Sequence, residues 1–405
     1  MPSKEHGGGR SSSYDWIVVG GGLAGSAAAY ELARRRFTVL LLEGQSPLQA
    51  TRYSYGGIPY WAGTTPLMQQ LCQEGIARHR ALPEELEADT QLRDLDLLLT
   101  IAANQDPGEA LKTYADCQIS PTLISVSEAC DREPQLNPAA IVGALTVRHG
   151  HVDPIRLISA YWQAFFRLGG KVHRVTATEV RQQNGCAAVL TPDEAFTGAN
   201  VLVCAGGLSR HLLTQAGHPV RQYFTHAELL ETAALPPALR TIVMPAHTQR
   251  FDLEAEAAQP QHESLWQQAK PVAAPILDPG AVQFLDGRLC IGQISRTLGD
   301  PFAAVDLAES EARIRQAVGQ VLPALATLPA RCHHCLVAFS GDRLPLIGPV
   351  PGADNLHLFS GFGSPFAILP TLAQRFAAHA AAAPDDIIVS LSPRRPSLLL
   401  DHSGG

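Results

Sequence analysis

Runs of apolar residues that end in a glycine-rich turn recur along this chain, and a helical pattern follows each turn. The first run, residues 17–19, enters a turn at 20–25 and continues into a stretch of small and apolar residues with helical spacing. A second apolar run, residues 37–42, ends in Glu43. Strand, glycine turn, helix, strand and acid arrive in the order that is typical of a dinucleotide-binding unit.

Two later segments repeat parts of this pattern. Residues 201–204 form an apolar run that enters the small residues 205–207 and a helix start. Residues 355–381 read as a strand, a glycine-rich turn and a long amphipathic helix. Between them, residues 219–296 contain stretches that alternate polar and apolar positions, such as 287–294, which predicts a sheet with one buried face. The pattern predicts an α/β protein.

The glycines of the first turn have separate physical roles in a dinucleotide fold. Gly20 turns the chain tightly, Gly22 lets the backbone approach a pyrophosphate, and Gly25 lets the helix pack closely on the strand. Glu43 follows Gly25 by 18 residues and can accept hydrogen bonds from the ribose hydroxyl groups. This motif predicts nucleotide binding, but it does not by itself distinguish FAD from NAD.

Two further stretches favour a flavin. The loop at 52–63, RYSYGGIPYWAG, offers Tyr55, Tyr60 and Trp61 to line a flavin ring, and the alternative is a surface loop with a few buried aromatic residues. The helix that follows the turn at 361–363 presents an N-terminus, which stabilises the negative charge that develops on a reduced flavin ring.

Composition and charge exclude some classes of protein. The chain has 405 residues, 46% of them hydrophobic and 17% charged, with a net charge of −7 and no long basic run. This balance predicts a globular protein with a small-molecule partner and does not favour nucleic acid. No segment approaches the roughly 20 apolar residues of a membrane helix. Eight scattered cysteines indicate reduced thiols and therefore a cytoplasmic protein.

The segment 332–335, CHHC, suggests a metal site, a redox dithiol, a cofactor attachment point or a strand. Residues 336–339 continue it as an apolar strand, in which residues three apart point to opposite faces. Cys332 and Cys335 are then poorly placed to act together, and no second Cys/His pair of ligand spacing exists elsewhere in the sequence. No metal site is predicted. His333 is expected on the face of Cys335, and Cys332 and His334 on the face away from a cofactor.

Four stretches, in order and spacing, make the chain similar to a known family: residues 125–137, 150–173, 201–209 and 341–366. The chain resembles the D-amino-acid-oxidase-like (DAO) family of FAD-dependent oxidoreductases, which includes glycine oxidase and sarcosine oxidase. The resemblance runs from about Tyr14 to Arg395.

The resemblance implies a Rossmann-like FAD-binding domain of the glutathione-reductase type and a discontinuous, sheet-based α+β substrate domain. The FAD-binding domain is expected at 14–80, 150–215 and 330–395, the substrate domain at 81–149 and 216–329, and flexible ends at 1–13 and 396–405.

The resemblance also implies FAD as the cofactor and a set of residues that contact it, with Val180 placing a backbone group near the adenine. Cys335 lies seven residues before Asp342, the spacing at which sarcosine oxidase carries a cysteine bonded covalently to its flavin. Most relatives have no such bond, so a covalent link remains the less favoured alternative. The expected contacts are Gly20, Gly22, Gly25, Glu43, Arg52, Gly56, Gly57, Val180, Gly206, Cys335, Asp342, Gly361, Gly363 and Ser364.

The activity implied by the resemblance is oxidation of a carbon–nitrogen bond in a small amine or amino acid. Hydride passes to flavin N5, water hydrolyses the imine, and oxygen or another acceptor takes the electrons. Four residues are candidates for the substrate side: Arg52, Tyr55, Tyr223 and His226. The alternatives are a solvated loop charge for Arg52, core tyrosines, and a sheet histidine for His226.

The chain departs from the family pattern at two places. No arginine lies just upstream of Gly341, where such oxidases usually hold the substrate carboxylate, so Arg52, Arg250 or Arg296 must substitute if the substrate is an amino acid. Cys290 stands where sarcosine-oxidase-like members carry a lysine that helps oxygen react. A dehydrogenase for a C–O bond of a 2-hydroxy acid, and a flavoprotein with a binding or assembly role, therefore remain as alternatives.

Overall fold

The computed structural model describes residues 14–183, 185–236 and 238–398. The expected flexible lead at 1–13 lies outside the described residues. Two large sheets with helices packed on their outer faces make up the fold.

The strands are β1 (Tyr14–Val19), β2 (Val39–Leu42), β3 (Gly57–Ile58), β4 (Arg93–Ala102), β5 (Thr122–Ile124), β6 (Ile141–His151), β7 (Lys171–His173), β8 (Glu179–Gln183), β9 (Cys186–Leu190), β10 (Ala195–Val203), β11 (Gln222–Thr232), β12 (Ile242–Pro245), β13 (Pro271–Gln283), β14 (Leu289–Leu298), β15 (Ala330–Ser340), β16 (Leu346–Pro349) and β17 (Leu356–Ser360). The helices are α1 (Leu23–Arg34), α2 (Pro66–Glu85), α3 (Pro107–Lys112), α4 (Val126–Arg132), α5 (Pro154–Arg167), α6 (Ser209–Gln215), α7 (Gln249–Ala257), α8 (Glu263–Gln267), α9 (Leu307–Val321), α10 (Pro365–Ala380) and α11 (Asp386–Ser390).

The first sheet contains the strand–helix–strand unit β1-α1-β2 that the sequence predicted. Its strands run in the order β16-β17-β10-β1-β2-β7, and β1 pairs in parallel with both β2 and β10. Alternate residues of β1 enter different cores, because Trp16 and Val18 pack under α1, α5 and α10 while Ile17 and Val19 pack on the other face. A strand buried on both faces must be apolar throughout, which explains the uninterrupted apolar run in the sequence.

The second sheet is mainly antiparallel, with the order β15-β11-β14-β13-β12-β4-β6-β3 and β5 beside β6. Both faces of this sheet are buried, and each packs in a different hydrophobic cluster. Leu98 points into the cluster formed with α4 and α9, whereas Leu97 and Leu99 point to the opposite face. That opposite face borders a cavity of about 930 Å³ shared with the first sheet.

Two expected boundaries differ from the structure. Residues 330–340 form β15, which pairs with β11 along its full length and so belongs to the second sheet rather than to the FAD-binding part. At the other end, residues 396–398 form a short helical turn that buries Leu398, so the expected flexible tail does not begin at 396. The remainder of that tail, 399–405, lies outside the described residues.

Helices of sufficient length and hydropathy to cross a lipid bilayer are missing from the described ranges.

Candidate functional site

The first glycine turn closes one end of the cavity. β1 leads into Gly20, whose φ of +105° suits glycine, and α1 begins at Leu23 after Gly22. A Cβ on Gly25 would lie 1.8 Å from the carbonyl oxygen of Gly20, so only glycine allows the helix to pack on the turn. Gly20 and Gly22 line the cavity, while Gly25 lies beneath the turn and does not. The helix N-terminus therefore faces the cavity, as an anion site requires.

Glu43 lines the cavity beside this turn, and both of its carboxylate oxygens accept hydrogen bonds. One carboxylate oxygen accepts from the N–H of Gly21, and the other accepts from the N–H of Gln45 at 2.8 Å and from Gln49 Nε2 at 2.6 Å. These bonds position the carboxylate at the C-terminal end of β2, where the acid of a dinucleotide fold is expected.

A second helix N-terminus faces the same cavity. The turn at 361–364 and the first residues of α10 line it, and Ser364, the N-cap residue, makes no side-chain capping bond. Pro365 has no N–H, and the N–H of Ala367 donates to the oxygen of Ser364 at 3.1 Å. The α10 N-terminus therefore offers a ligand with negative charge the N–H of Phe366 and the positive end of the helix dipole. Gly206 lines the cavity between these two helices, and its carbonyl oxygen accepts from Gln222 Nε2 at 3.0 Å.

The cavity fits an extended dinucleotide bearing a flavin ring. It runs from the first glycine turn to the second sheet, its walls at the nucleotide end are backbone and small residues, and two helix N-termini face it. Such a shape allows close backbone approach to phosphates at one end and to a flat ring at the other.

The second sheet supplies the floor on the far side of the cavity. Tyr55 reaches this floor from the loop before β3, and its hydroxyl lies 3.1 Å from the oxygen of Gly280 and 3.2 Å from that of Gly292. A phenol has one proton, so it donates to one of these oxygens at a time. Burial raises the pKa of Tyr55 well above its ordinary value, which keeps it a neutral donor.

Arg250 is the only arginine or lysine among the described residues that line the cavity. It lies in the first turn of α7, and Asp278 fixes that turn by accepting from the N–H groups of Gln249 and Arg250 at 2.9 and 3.1 Å. Arg250 Nε lies 3.5 Å from Glu254 Oε1 but is buried without a hydrogen bond. Guanidinium donors therefore remain for a ligand in the cavity.

Burial raises the pKa of both Asp278 and Glu254, and the positive charge of Arg250 opposes that rise in each case. The three side chains form one ionic cluster at the wall of the cavity. A substrate carboxylate bound to Arg250 would therefore interact with the same guanidinium as Asp278 and Glu254 do.

Of the seventeen residues named in the sequence as cofactor contacts or substrate-side candidates, ten line the cavity and seven do not. Those that line it are Gly20, Gly22, Glu43, Tyr55, Gly57, Gly206, Cys335, Gly361, Gly363 and Ser364. Those that do not are Gly25, Arg52, Gly56, Val180, Tyr223, His226 and Asp342.

Tyr223 and His226 both lie outside the cavity, although they point to opposite faces of β11. Tyr223 packs against Trp266 and Phe339, and its hydroxyl donates to Glu263 at 2.7 Å. His226 stacks on His334, with their ring nitrogens 2.7 Å apart. Both side chains contribute to the packing of the second sheet, and their positions do not support the substrate-side role expected of them.

Arg52 and Asp342 are also placed differently from expectation. Arg52 is exposed and stacks over the ring of Tyr53, at 5.5 Å from its centroid. Asp342 forms an ion pair with Arg395, with oxygen–nitrogen distances of 2.6 and 2.7 Å, and so ties the C-terminal segment to the end of β15. Hydrogen bonds from Arg395 and Ser397 lower the pKa of Asp342, and they overcome the opposing effect of its burial.

Val180 and Gly56, both expected to contact the cofactor, also lie outside the cavity. Val180 lies within β8 and is fully buried, and residues 175–178, just before this strand, line the cavity instead. Gly56 has a φ of +68°, and a Cβ there would lie 2.0 Å from the oxygen of Val152. Gly56 therefore serves the packing of the loop at 52–63, and its neighbour Gly57 reaches the cavity.

The two cysteines of CHHC point to opposite sides of β15, as the strand period predicts. Cys335 lines the cavity, and Cys332 packs in the cluster beneath α9. His333 stacks on Tyr53, with ring centroids 4.4 Å apart, and Tyr53 lines the cavity. Three or more metal-ligand side chains do not converge anywhere in the described ranges.

Two other residues considered in the sequence are occupied within the second sheet. Arg296 binds the buried carboxylate of Glu228 at 3.1 Å. Cys290 is fully buried opposite Glu231 and does not line the cavity, and burial raises the pKa of its thiol above its ordinary value. Of the three arginines considered for a carboxylate, only Arg250 faces the cavity.

Sequence reasoning missed much of the second sheet's contribution. Leu97, Leu99, Tyr114, His149 and Met244 all line the cavity. The alternation of β4 marks Leu97 and Leu99 as sharing a face, but nothing local shows which face meets the cavity. Tyr114 and Met244 carry no motif, because their positions depend on how distant segments pack.

Comparisons with known proteins agree with this geometry. The family model DAO, described as FAD dependent oxidoreductase, matches residues 15–379. Glycine oxidase of Geobacillus kaustophilus is 26% identical over 57% of this chain and 64% of its own length. Monomeric sarcosine oxidase of Streptomyces avermitilis is 28% identical over 52% of this chain and 56% of its own length. The matched region thus spans less than two thirds of these relatives.

Solved structures show the same fold. The crystal structure of glycine oxidase from Geobacillus kaustophilus superposes with a TM-score of 0.73 at 20% identity, over 95% of this chain and 99% of that one. The crystal structure of L-proline dehydrogenase from P. horikoshii superposes with a TM-score of 0.73 at 17% identity, over 95% and 97%. The expected pairing of a Rossmann-like FAD domain with a sheet-based domain is confirmed.

Proposed function

Because this chain belongs to the DAO family of FAD-dependent oxidoreductases, we propose that it oxidises the carbon–nitrogen bond of an amino acid whose carboxylate binds Arg250. FAD is its cofactor, and it supplies the hydride acceptor for the reaction. Gly20, Gly22 and the α1 N-terminus would hold the diphosphate, and the α10 N-terminus would lie toward the ring. The observation that carries the proposal is that Arg250 is the one arginine or lysine, among the residues the structure describes, that lines the cavity, since a carboxylate is the natural partner of a guanidinium.

The residues around the substrate side act by binding and by excluding water. Tyr55 remains a protonated phenol, and its hydroxyl donates a hydrogen bond to a backbone oxygen of the second sheet. His149 accepts from Trp61 Nε1 through Nδ1, and burial lowers its pKa to about 3. Neither group is free to remove a proton from the substrate. A substrate amine that enters in its neutral form needs no such base, because its nitrogen lone pair forms the C=N bond as the C–H electron pair leaves as hydride.

The experiment is anaerobic mixing of the flavin-loaded protein with amino acids, with the corresponding amines and with 2-hydroxy acids. Loss of the yellow flavin absorbance with amino acids is the expected result. Bleaching by hydroxy acids alone would favour C–O oxidation and overturn the proposal. No bleaching by any compound would favour a flavoprotein with a binding or assembly role.

The charge of the residues that line the cavity also affects which electron acceptor can reoxidise the flavin. No lysine lines it within the described residues, and Arg250 is assigned to the substrate. Positive charge beside a reduced flavin favours electron transfer to oxygen, because the superoxide formed is an anion. We therefore propose that another acceptor reoxidises the protein. Rapid return of the yellow colour on admitting air would contradict this.

A further inference from the structure

The end of the cavity against the second sheet is walled by aromatic and aliphatic side chains, here called the apolar wall. Trp61, Leu97 and Leu99 are buried, with at most 3% of each exposed, and the rings of Trp61 and Tyr114 lie 5.9 Å apart. The apolar wall consists of Trp61, Leu97, Leu99, Tyr114 and Met244, all of which line the cavity.

The strands fix most of this wall. Leu97 and Leu99 are alternate residues of β4 and therefore share a face, while Leu98 between them enters the core on the other side. Met244 lies opposite Leu99 in the parallel pairing of β12 with β4. Leu97, Leu99 and Met244 are thus held by two paired strands, whereas Trp61 and Tyr114 come from the segments after β3 and α3.

The N–H and hydroxyl groups of the apolar wall already donate hydrogen bonds within the protein. Trp61 Nε1 donates to His149 Nδ1 at 3.0 Å, and the Tyr114 hydroxyl donates to the oxygen of Ala246 at 2.7 Å. His149 stays neutral because burial lowers its pKa to about 3. A polar or charged group placed against the wall would lose its water without gaining a partner. An apolar group would lose nothing and would displace water from apolar surface.

We propose that the substrate carries a bulky apolar substituent, about the size of a phenyl ring, that packs against the apolar wall. This inference rests on the proposed function, in which Arg250 holds the carboxylate of the same molecule. Glycine or sarcosine would bind Arg250 equally well but would leave the wall in contact with water. The substrate class is therefore amino acids with aromatic or large aliphatic substituents.

The first test compares kcat/KM for glycine, aspartate, lysine, leucine and phenylalanine, with both enantiomers of each chiral compound. Anaerobic reduction of the bound flavin is the readout. We expect the better enantiomer of phenylalanine or leucine to exceed glycine by about 10- to 100-fold, from the apolar area buried. Aspartate and lysine are expected below glycine. A preference for glycine or for a charged amino acid would overturn this inference while leaving the proposed function intact.

The second test changes the wall. Met244→Trp fills space beside Leu99 and is expected to lower the phenylalanine-to-glycine ratio of kcat/KM at least tenfold. Met244→Leu nearly conserves the volume and is expected to keep that ratio within about threefold. An unchanged ratio in Met244→Trp, in protein that retains its flavin, would show that the wall does not contact the substituent.

A binding measurement covers the case in which Met244→Trp does not fold. Perturbation of the flavin spectrum of the unmodified protein reports binding of 3-phenylpropanoate and of propanoate. The aromatic acid is expected to bind at least tenfold more tightly, and equal dissociation constants would refute the inference. Failure of every amino acid to bleach the flavin is a different outcome, which refutes the proposed function itself.

Discussion

Replacement of Arg250 gives the sharpest test of how the substrate is held. Arg250→Met keeps most of the apolar stem but removes every donor and the charge. In the structure the guanidinium lies 3.5 Å from Glu254 and interacts electrostatically with Asp278, and its Nε makes no hydrogen bond. A hydrogen bond to a charged group contributes about 1.5–3 kcal/mol. The loss of one such bond in the transition state lowers kcat/KM by about 10- to 160-fold.

The assay compares an amino acid with the amine that lacks its carboxylate. In Arg250→Met, kcat/KM for the amino acid is expected to fall by that factor, mainly through KM, while the amine is affected less than threefold. Arg250→Lys is expected to recover only part of the loss, because an ammonium group cannot bind a carboxylate in the bidentate manner.

Arg343→Asn is the matched control. Arg343 lies over the same Phe251 ring as Arg250, at 5.9 Å against 5.1 Å from its centroid, but does not line the cavity. Its φ of +66° is one that asparagine tolerates. Equal losses for amino acid and amine in Arg250→Met, or an equal loss in Arg343→Asn, would refute the assignment of Arg250 to the carboxylate.

Three other predictions concern the cofactor and stability. Gly25→Ala places a methyl group 1.8 Å from the Gly20 oxygen, so FAD is expected to bind at least tenfold more weakly in a titration of the apoprotein; unchanged affinity would contradict the close packing. Burial raises the pKa of Cys335 to about 12, so little reactive thiolate forms, and acid precipitation is expected to release the flavin into the supernatant. A yellow pellet in the unmodified protein but not in Cys335→Ser would show a covalent bond. His79 is fully buried, and burial lowers its pKa from 6.5 to about 4, so the free energy of unfolding is expected to decrease as pH falls across that window. Denaturant titrations at several pH values should show that the free energy of unfolding depends less steeply on pH in His79→Gln, with nearly one proton fewer taken up on unfolding. An identical pH dependence would exclude His79 as the cause.

The sign of the His79 effect follows from the two pKa values. The unfolded chain takes up a proton near pH 6.5, whereas the folded protein resists protonation until about pH 4. Protons therefore favour the unfolded state between these values, and above pH 6.5 the two states differ no further at this residue. The neutral imidazole donates from Nε2 to the oxygen of Phe366 at 2.7 Å, in the first turn of the helix that faces the cavity.

Local features of the fold could be predicted because they depend on residues close in sequence. The first βαβ unit follows from the apolar run, the glycine spacing and Glu43, all within about 30 residues. The opposite facing of Cys332 and Cys335 follows from the period of one strand. The family resemblance extends the same reasoning to FAD as the cofactor, and the family model confirms it.

The residues that face the substrate side depend on contacts between distant segments. Tyr223 and His226 point to opposite faces of β11, and both lie outside the cavity because of what packs there: Tyr223 contacts Trp266 and Phe339, and His226 contacts His334. A shift of one residue in such a strand exchanges its two faces, and no local pattern reports which face meets a cavity.

The sequence by itself therefore determined the class of fold, the nucleotide end of the cavity and the family. The tertiary structure decided which of the three candidate arginines lines the cavity, because Arg52 is exposed, Arg296 is paired with Glu228, and only Arg250 reaches the cavity. It also assembled the apolar wall from strands and loops far apart in the chain. Side-chain type and spacing act locally, whereas the environment of a side chain is set by strand register and by the packing of one sheet over another.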